Sequence, residues 1–205
     1  MTLAELIGPD ASTEVPQTAG YLSQVPEWSL GGNDKFGDCG FVSLCNLIDV
    51  VKAVGGDPQV VGEAEAEYFY AREAGFNSQN PATDRGSVLA DVIRYWMDNG
   101  WPADPIYKPV GFCAIEPVQI HQAVHSLGGV PAWCSLPVDA NGDPDWSDNA
   151  IGTQPADGHA VLIAQSSLEG LVLITWAEPV TVSLKWWHVF GCGQFAVRLP
   201  DWRVP

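Results

Sequence analysis

The stretch GGNDKFGDCGFVSLCNLIDVVKAVGG, residues 31–56, contains a loop rich in glycine and aspartate followed by an apolar helix pattern. The apolar residues of its second half recur at three- and four-residue spacing, which predicts a helix that ends at Gly55 and Gly56. These residues are Phe41, Leu44, Leu47, Ile48 and Val51. Asp38 stands at the position of an N-cap, so the pattern places Cys39 in or near the first turn.

A cysteine at the start of a helix is a candidate nucleophile. Unpaired backbone N–H groups at a helix start favour negative charge and lower the pKa of a thiol there. A cysteine nucleophile also needs a base and hydrogen-bond donors for the oxyanion. The other reading of Cys39 is a small buried core residue, which is a common role for a free cysteine.

Two further residues supply the remaining parts of such a site. His159, in DGHAVLI, opens an apolar strand pattern and is the candidate base. Asn33 lies six residues before Cys39, and we expect its side-chain amide to hold the oxyanion together with the N–H of Cys39. The alternative role for Asn33 is ordinary turn chemistry, because Asn-Asp after Gly-Gly forms a good turn by itself.

Outward from this stretch, the pattern predicts helices first and strands afterwards. We expect a second helix from Pro58, capped by Asp57, and a third over residues 87–99 with Val88 facing inward. After Gly100 the runs are short, apolar and β-branched or aromatic, apart from a short helix around residues 118–126. The predicted strands are GGVPAWCSLPV, HAVLIAQ, LVLITWAE, KWWHVFG and QFAVRL. This order predicts an α+β fold with a helical lobe and an antiparallel sheet.

The domain organisation is simple. Residues 1–32 carry scattered prolines and predict an extended arm on the body, with one helical turn at Leu3–Ile7. Residues 33–205 fit a single domain, since domains cluster at about 100–200 residues. In the predicted strand KWWHVFG, Trp186 and Trp187 would alternate between a buried and a half-exposed position.

The segment Asn33-x-x-x-x-Asp38-Cys39-Gly40, followed by Leu44, resembles the signature of papain-like cysteine peptidases in their compact form. It is most similar to C39-like peptidase domains of bacteria and bacteriophages, in which the motif reads close to GNDKFGDC. The HAVLI segment that begins at His159 is similar to their histidine-bearing strand. The resemblance implies a two-lobed papain-like fold whose central helix starts at the cysteine, and a peptidase activity.

The resemblance also implies which residues should orient the base. In the family, a hairpin follows the histidine strand, and its second strand ends in the third catalytic residue. Here that strand is LVLITWAEP, and the equivalent position is Thr175, with Glu178 as a second candidate. Two positions depart from the family pattern: Asn33 replaces a glutamine, and Thr175 replaces an Asn or Asp.

Composition narrows the classes of function. The chain has 205 residues, 9 Lys and Arg, and 25 Asp and Glu, which gives a formal net charge of −16. Nucleic-acid binding is disfavoured because phosphate neutralisation needs clustered cations. Nine Trp and seven Phe argue against disorder. We expect no signal peptide, no membrane span and no membrane partner, and therefore a location in a host cytoplasm or in a virion.

Metal and cofactor chemistry find little support in the sequence. The five cysteines form no CxxC pair, so we expect neither a zinc site nor a disulfide framework. His121 and His125 share a helix face but lack an evident third ligand. Residues 139–148 place acidic and amide residues at alternate positions, as in a calcium loop, but without its glycine and final glutamate. We expect a solvated acidic loop there, and no cofactor.

Two functions from different classes remain. The first is a cysteine hydrolase that acts on a polypeptide or on the peptide stems of a bacterial cell wall. The second is a papain-like scaffold with little or no activity that serves as a bacteriophage virion protein, a capsid decoration or tail component packed against other virion subunits. The missing Asn or Asp at position 175 and the shorter amide of Asn33 motivate the second hypothesis.

Overall fold

The computed structural model describes residues 1–8, 14–104, 107–202 and 204. Part of the predicted arm, residues 9–13, lies outside the described residues. Within the described chain, helices and strands follow the predicted order: the N-terminal half is mainly helical and the C-terminal half mainly sheet. The α+β class is therefore confirmed.

Six α-helices occur in the described residues. They are α1 (Leu3–Ile7), α2 (Cys39–Val54), α3 (Glu63–Ala74), α4 (Leu89–Asn99), α5 (Ile120–Leu127) and α6 (Leu184–Phe190). The central helix α2 begins at Cys39, as its apolar spacing predicted. It packs against β3, β4 and β5 on one side and against α3 and α4 on another, so its middle is buried almost completely. This burial fixes the direction in which the first turn of α2 points.

The strands form one antiparallel sheet. They are β1 (Thr18–Gly20), β2 (Gly111–Ala114), β3 (Val130–Pro137), β4 (Pro155–Ser167), β5 (Gly170–Thr175), β6 (Glu178–Ser183) and β7 (Gly191–Arg198). Their order is β2-β7-β3-β4-β5-β6, and β1 pairs with one end of β4. The long strand β4 lies at the centre and carries His159 near its beginning. Helix α2 crosses this strand, which brings the helical lobe and the sheet together.

Two predicted helix starts were wrong, and the short helix predicted around residues 118–126 is present with a different first turn. Helix α3 begins at Glu63 with Gly62 as its N-cap, so Asp57 does not cap it and Pro58 does not start it. Helix α4 begins at Leu89, and Val88 is the exposed residue before it rather than an inward-facing one. The short helix near residue 118 begins with a 3-10 turn, and its α-helical part starts at Ile120.

The segment KWWHVFG is a helix instead of the predicted strand. Ser183 caps α6, because its hydroxyl accepts a hydrogen bond from the N–H of Trp186. Trp186 and Trp187 are both buried, whereas alternation across a strand predicted one of them to be half-exposed. Two adjacent residues of a helix point about 100° apart around its axis. Both are therefore buried when the core covers the helix in both of these directions.

The arm packs closely on the body. Helix α1 lies against β7, and the guanidinium of Arg198 donates to the carbonyl oxygens of Leu6 and Ile7. Tyr21 donates through its hydroxyl to the carbonyl of His125. A search of the described residues for a helix both long and apolar enough to span a bilayer finds none.

Candidate active site

Cys39 is the first residue of α2, directly after a loop that crosses the end of the helix. Asp38 occupies the N-cap position, but its carboxylate does not cap the helix as expected. Instead it accepts a hydrogen bond of 2.8 Å from the N–H of Gly32. The carboxylate therefore holds the loop that carries Asn33 against the start of α2.

Glycines allow this loop to approach the helix. Gly31 has a φ of +57°, and a Cβ there would lie 2.5 Å from Cγ2 of Val42. A Cβ on Gly32 would lie 2.7 Å from the ring of Phe36. Asp38 is fully buried beneath the loop, and burial raises the pKa of its carboxyl to about 7. The hydrogen bond from Gly32 acts in the opposite direction and only partly offsets this effect.

His159 is the other half of the site, and three neighbours fix its ring. It lies on β4 and is 8% exposed. Its Nε2 atom and the Thr175 hydroxyl oxygen are 2.6 Å apart and form a hydrogen bond. The Trp176 ring stacks on the imidazole at a centroid distance of 4.4 Å, and Trp146 lies 6.4 Å from it. Since Nε2 is engaged, Nδ1 is the nitrogen left for proton transfer.

The thiol and the imidazole line the same cleft, which has a volume of about 670 Å³. The N–H of Ala160, the residue after His159, donates to the Cys39 sulfur over 3.4 Å. The start of α2 is thereby joined to β4 at the histidine. The cleft is lined by Gly37, Cys39, residues 84–89, Trp133 and residues 157–160.

The resting thiol and imidazole are both neutral near pH 7. Burial raises the pKa of the Cys39 thiol, and the carboxylates of Asp38 and Asp157 raise it further. The Ala160 N–H lowers this pKa, but burial outweighs it. Burial also lowers the pKa of His159 to about 4. The expectation that the helix start lowers the thiol pKa is therefore not met, because desolvation is the larger effect.

The turn between β5 and β6 presents Trp176 to the histidine. Trp176 and Ala177 have φ values of +48° and +61°, which non-glycine residues rarely adopt. Such a two-residue turn matches the twist of the strands it joins. The indole N–H of Trp176 donates to the carbonyl of Asn33 over 3.0 Å. The strained turn thus connects the base to the loop before Cys39.

The five candidate site residues from the sequence do not all lie at the cleft. Cys39 and His159 line the cleft, and Thr175 is buried and bonded to Nε2 of His159. Asn33 is half-buried and contacts Trp176 through its backbone carbonyl, while its side chain is not among the residues that line the cleft. Glu178 is exposed and lines a separate groove beside residues 26–31 and 60–63. Its role as an orienting residue stays a prediction that this placement does not favour.

The alternative metal positions have structural roles instead. His121 contacts the Ser166 hydroxyl through Nδ1 and the Pro16 carbonyl through Nε2. Asp139 accepts hydrogen bonds from the N–H groups of Asn141 and Asp143, which folds the acidic loop on itself. Among the residues that the structure describes, no three His, Cys, Asp or Glu side chains are grouped to hold a metal.

Sequence reasoning missed two contributors to the site. Trp176 follows Thr175 directly, but no local pattern marks it as a residue that stacks on the imidazole of His159. Asp84 lines the cleft and accepts a hydrogen bond from the N–H of Gly37, 47 residues away in the chain. No local pattern marks that contact, because it depends on how α3 and the following loop pack.

Comparison with known proteins reveals similarity in structure only. No family model matches the chain, and no curated protein matches it. Digestive procathepsin L 3 from the larval midgut of Tenebrio molitor aligns with a TM-score of 0.64 at 11% identity, over 92% of this chain and 72% of that one. The proform of the Amb a 11 cysteine protease, a major ragweed pollen allergen, gives the same TM-score and identity over 92% and 67%. The C39-like bacterial or bacteriophage type stays a prediction, but the chain has a papain-like fold, as the segment around Cys39 implied.

Proposed function

We propose that this protein is a cysteine hydrolase that cleaves peptide or amide bonds with Cys39 as nucleophile and His159 as base. One observation carries the proposal: the first residue of α2 and the histidine of β4 line one cleft, joined by the Ala160 N–H. The hydrogen bond of His159 Nε2 to Thr175 leaves Nδ1 for the proton of the thiol. A nucleophile, a base and a group that orients the base are the parts that such catalysis needs.

The proposed reaction proceeds by acyl transfer. The Cys39 sulfur attacks the carbonyl carbon while His159 takes the thiol proton, and the carbonyl oxygen becomes an oxyanion. The Cys39 N–H and the Asn33 side-chain amide, after a rotation into the cleft, would hold that oxyanion. The C–N bond then breaks, and His159 returns the proton to the leaving amine. Water, deprotonated by His159, hydrolyses the thioester and restores the thiol.

The neutral resting pair supports general-base catalysis over a preformed thiolate–imidazolium pair. The pKa of Cys39 is raised and that of His159 is lowered to about 4, so proton transfer has to accompany attack. The carboxylate of Asp157 at the cleft favours the imidazolium that forms during attack. This charge therefore stabilises the transition state more than the ground state.

The substrate is proposed to be a polypeptide, with the peptide stems of a bacterial cell wall ranked second. The cleft combines the apolar surfaces of Val88 and Trp133 with the carboxylates of Asp84 and Asp157. An anionic protein is a poor match for an anionic envelope. A peptide library and a cell-wall zymogram, tested with the same preparation, distinguish the two substrates.

The decisive experiment measures hydrolysis of fluorogenic peptides by the wild-type chain and by Cys39→Ala and His159→Ala. We expect both substitutions to abolish turnover and a thioester on Cys39 to be detectable by mass spectrometry. Cys192→Ala is the matched control, because that thiol is exposed and lies outside the cleft. Hydrolysis that survives Cys39→Ala, or a wild-type chain that cleaves neither peptides nor cell walls, would overturn the proposal.

A second candidate function is a weakly active or inactive scaffold in a bacteriophage virion, packed against other virion subunits. The observation that favours it is the Thr175 hydroxyl, which brings no negative charge to the histidine, together with the neutral thiol. Co-purification with assembled particles at fixed stoichiometry is expected under this alternative. A freely soluble monomer with peptidase activity would contradict it.

A further inference from the structure

Asp84 joins three parts of the chain at the wall of the cleft. Its Oδ1 atom accepts a hydrogen bond of 2.9 Å from the N–H of Gly37, two residues before Cys39. The same oxygen accepts one of 2.8 Å from the Tyr70 hydroxyl on α3. The Tyr70 oxygen in turn accepts from the N–H of Gly86 over 2.8 Å. The loop before the candidate nucleophile is thus tied to the opposite wall, residues 84–88.

The backbone of the loop at Gly37 lies in close contact with the backbone of residues 84–88. A Cβ on Gly37 would lie 3.0 Å from Oδ1 of Asp84 and 3.2 Å from both the N and Cα atoms of Gly86. Contacts this short leave no room for a side chain between the two walls. The distance between them is therefore set by hydrogen bonds rather than by packing of side chains.

The protonation states favour this arrangement at neutral pH. Burial, and then the hydrogen bond to Asp84, raises the pKa of Tyr70 to about 12, so its hydroxyl stays a donor to the carboxylate. The aromatic ring of Tyr70 is fully buried and stacks on Phe76 at 4.6 Å. A rigid residue of α3 therefore holds Asp84, and Asp84 holds Gly37.

We propose that Asp84, held by Tyr70, is a positioning residue that fixes the loop before Cys39 and thereby the site of nucleophilic attack. This inference rests on the proposed hydrolase function. Asp84 acts through Gly37 and does not take part in proton transfer. Its carboxylate matters as a double acceptor, and an amide oxygen of the same shape can replace it.

The test compares Asp84→Ala, Asp84→Asn and Tyr70→Phe. Amide hydrogen exchange measured by NMR should become at least about tenfold faster at Gly37 in Asp84→Ala, since Gly37 loses its acceptor, and faster at Gly86 too, since Asp84 no longer holds the Tyr70 hydroxyl that accepts from Gly86. Tyr70→Phe should accelerate exchange at Gly86 while Gly37 keeps its bond to Asp84. Asp84→Asn should leave both amides protected, because Oδ1 still accepts both hydrogen bonds.

Two measurements test whether the hydrogen bonds of Asp84 affect Cys39. In Asp84→Ala, kcat for peptide hydrolysis should fall about tenfold, and Asp84→Asn should recover it to within about threefold of wild type. Alkylation of Cys39 by iodoacetamide at pH 8 should become at least about threefold faster in Asp84→Ala than in Asp84→Asn, because a loosened loop solvates the thiol. Both variants lack the carboxylate charge, so their difference reports geometry alone. All chains carry Cys192→Ser to remove the exposed thiol.

Asp139→Ala is the matched control for lost stability, since Asp139, like Asp84, accepts two hydrogen bonds, in its case from backbone N–H groups, but does not line the cleft. It should change neither the exchange at Gly37 nor the alkylation of Cys39. Unchanged exchange at Gly37 in Asp84→Ala, or equal kcat and alkylation rates in the Ala and Asn variants, would overturn the inference. If the wild type cleaves no substrate, the proposed function fails, while exchange and alkylation still decide the role of Asp84. If Asp84→Ala does not fold, Tyr70→Phe takes its place: alkylation of Cys39 no faster there than in Asp84→Asn would overturn the inference, because Asp84 would then need no support from Tyr70.

Discussion

The Thr175 hydroxyl is the hydrogen-bond partner of His159 Nε2, and a hydroxyl differs from an Asn or Asp oxygen at that position. An Asn or Asp oxygen can only accept a hydrogen bond from Nε2–H, and this places the lone pair on Nδ1. The Thr175 hydroxyl can donate or accept, so it does not by itself select the tautomer. Thr175 is 1% exposed, so bulk water does not make the selection either. We therefore expect both tautomers of His159 to be populated, and the one that carries its proton on Nδ1 cannot take the proton of the thiol.

We expect Thr175→Asn to raise kcat/KM by about three- to tenfold, because its side-chain oxygen accepts from Nε2–H and favours the active tautomer. The two side chains have similar volumes, so the core can accommodate the change. Thr175→Val keeps the shape of threonine and removes the hydrogen bond, and it should lower kcat by about tenfold. The ¹⁵N chemical shifts of the His159 ring report the tautomer directly. Equal kcat/KM and equal ring shifts in all three chains would contradict this prediction.

Among the elements, the loop 31–38 and the helix α2 depend on each other. Two buried carboxylates fix this part of the chain: Asp38 accepts from the N–H of Gly32 in the loop, and Asp49 accepts from the N–H of Ser29, two residues before the loop. Both carboxylates project from α2, about three turns apart. The loop can lie on the helix only if its own residues present no side chain, which is the role of Gly31.

Gly31→Ala should cost about 2–4 kcal/mol of unfolding free energy, since the positive φ and the contact with Val42 both oppose a Cβ. Gly56→Ala is its matched control. Gly56 also has a positive φ, of +83°, but nothing lies within 4 Å of the position of its Cβ, so only about 1 kcal/mol of backbone strain is expected. Urea denaturation of the two variants measures the difference. An equal loss of unfolding free energy in the two variants would contradict this prediction, because it would mean that the loop accommodates a Cβ at position 31 without disturbing α2.

Sequence patterns predict helices and strands well where an apolar pattern continues over many residues or where a helix cap is easy to recognise. The eleven-residue apolar stripe from Phe41 to Val51, with Asp38 before it, predicted that α2 begins at or near Cys39, and short apolar runs rich in β-branched residues predicted β4 and β5. The seven residues of α6 are too few to distinguish a period of 3.6 from a period of 2, and aromatic content then favoured a strand. The missed signal was Ser183, three residues before Trp186, in the position of a helix cap.

The site was predictable only as far as local chemistry marks it. Cys39 was identified by its helix start and His159 by its strand, and the resemblance placed Thr175 opposite the histidine. Asp84 and Trp176 act through contacts with Gly37 and Asn33, 47 and 143 residues away. Such contacts follow from tertiary packing, which no pattern of neighbouring residues encodes.

At the scale of the whole molecule, a net charge of −16 is combined with two buried carboxyl groups, Asp38 and Asp49, that form no ion pair with any residue the structure describes. Burial raises the pKa values of both Asp38 and Asp49 to about 7. One oxygen of each has no hydrogen-bond partner among the described residues. Acidic neighbours, Asp84 for Asp38 and Glu27 for Asp49, act in the same direction. The folded chain therefore holds protons on these groups that the unfolded chain releases.

This difference sets how stability depends on pH. Between about pH 4 and 7 the unfolded chain binds fewer protons at Asp38 and Asp49 than the folded chain, so the free energy of unfolding falls as pH rises, by at most about 1.4 kcal/mol per pH unit for each group. His159 acts in the opposite direction. Its folded pKa of about 4 lies below the ordinary 6.5, so its contribution is present above pH 6.5 and is lost as pH falls toward 4. The two carboxyl groups change the free energy of unfolding more than the one imidazole does. Protonation at low pH also reduces the repulsion between the negative charges of the folded chain, which acts in the same direction as the two carboxyl groups.

We therefore expect the wild-type chain to be more stable at pH 5 than at pH 7.5, as measured by urea denaturation across that range. Asp49→Asn should flatten the slope and stabilise the chain at pH 7.5, because its amide oxygen still accepts from Ser29 and no longer has to be ionised in the core. Asp139→Asn is the control, since Asp139 is exposed and its pKa is lowered by the N–H groups of Asn141 and Asp143. It should leave the stability difference between pH 5 and pH 7.5 nearly unchanged. A wild-type stability that rises over this range, or an Asp49→Asn slope equal to that of the wild type, would mean that the buried carboxyls ionise in the folded chain as readily as in water.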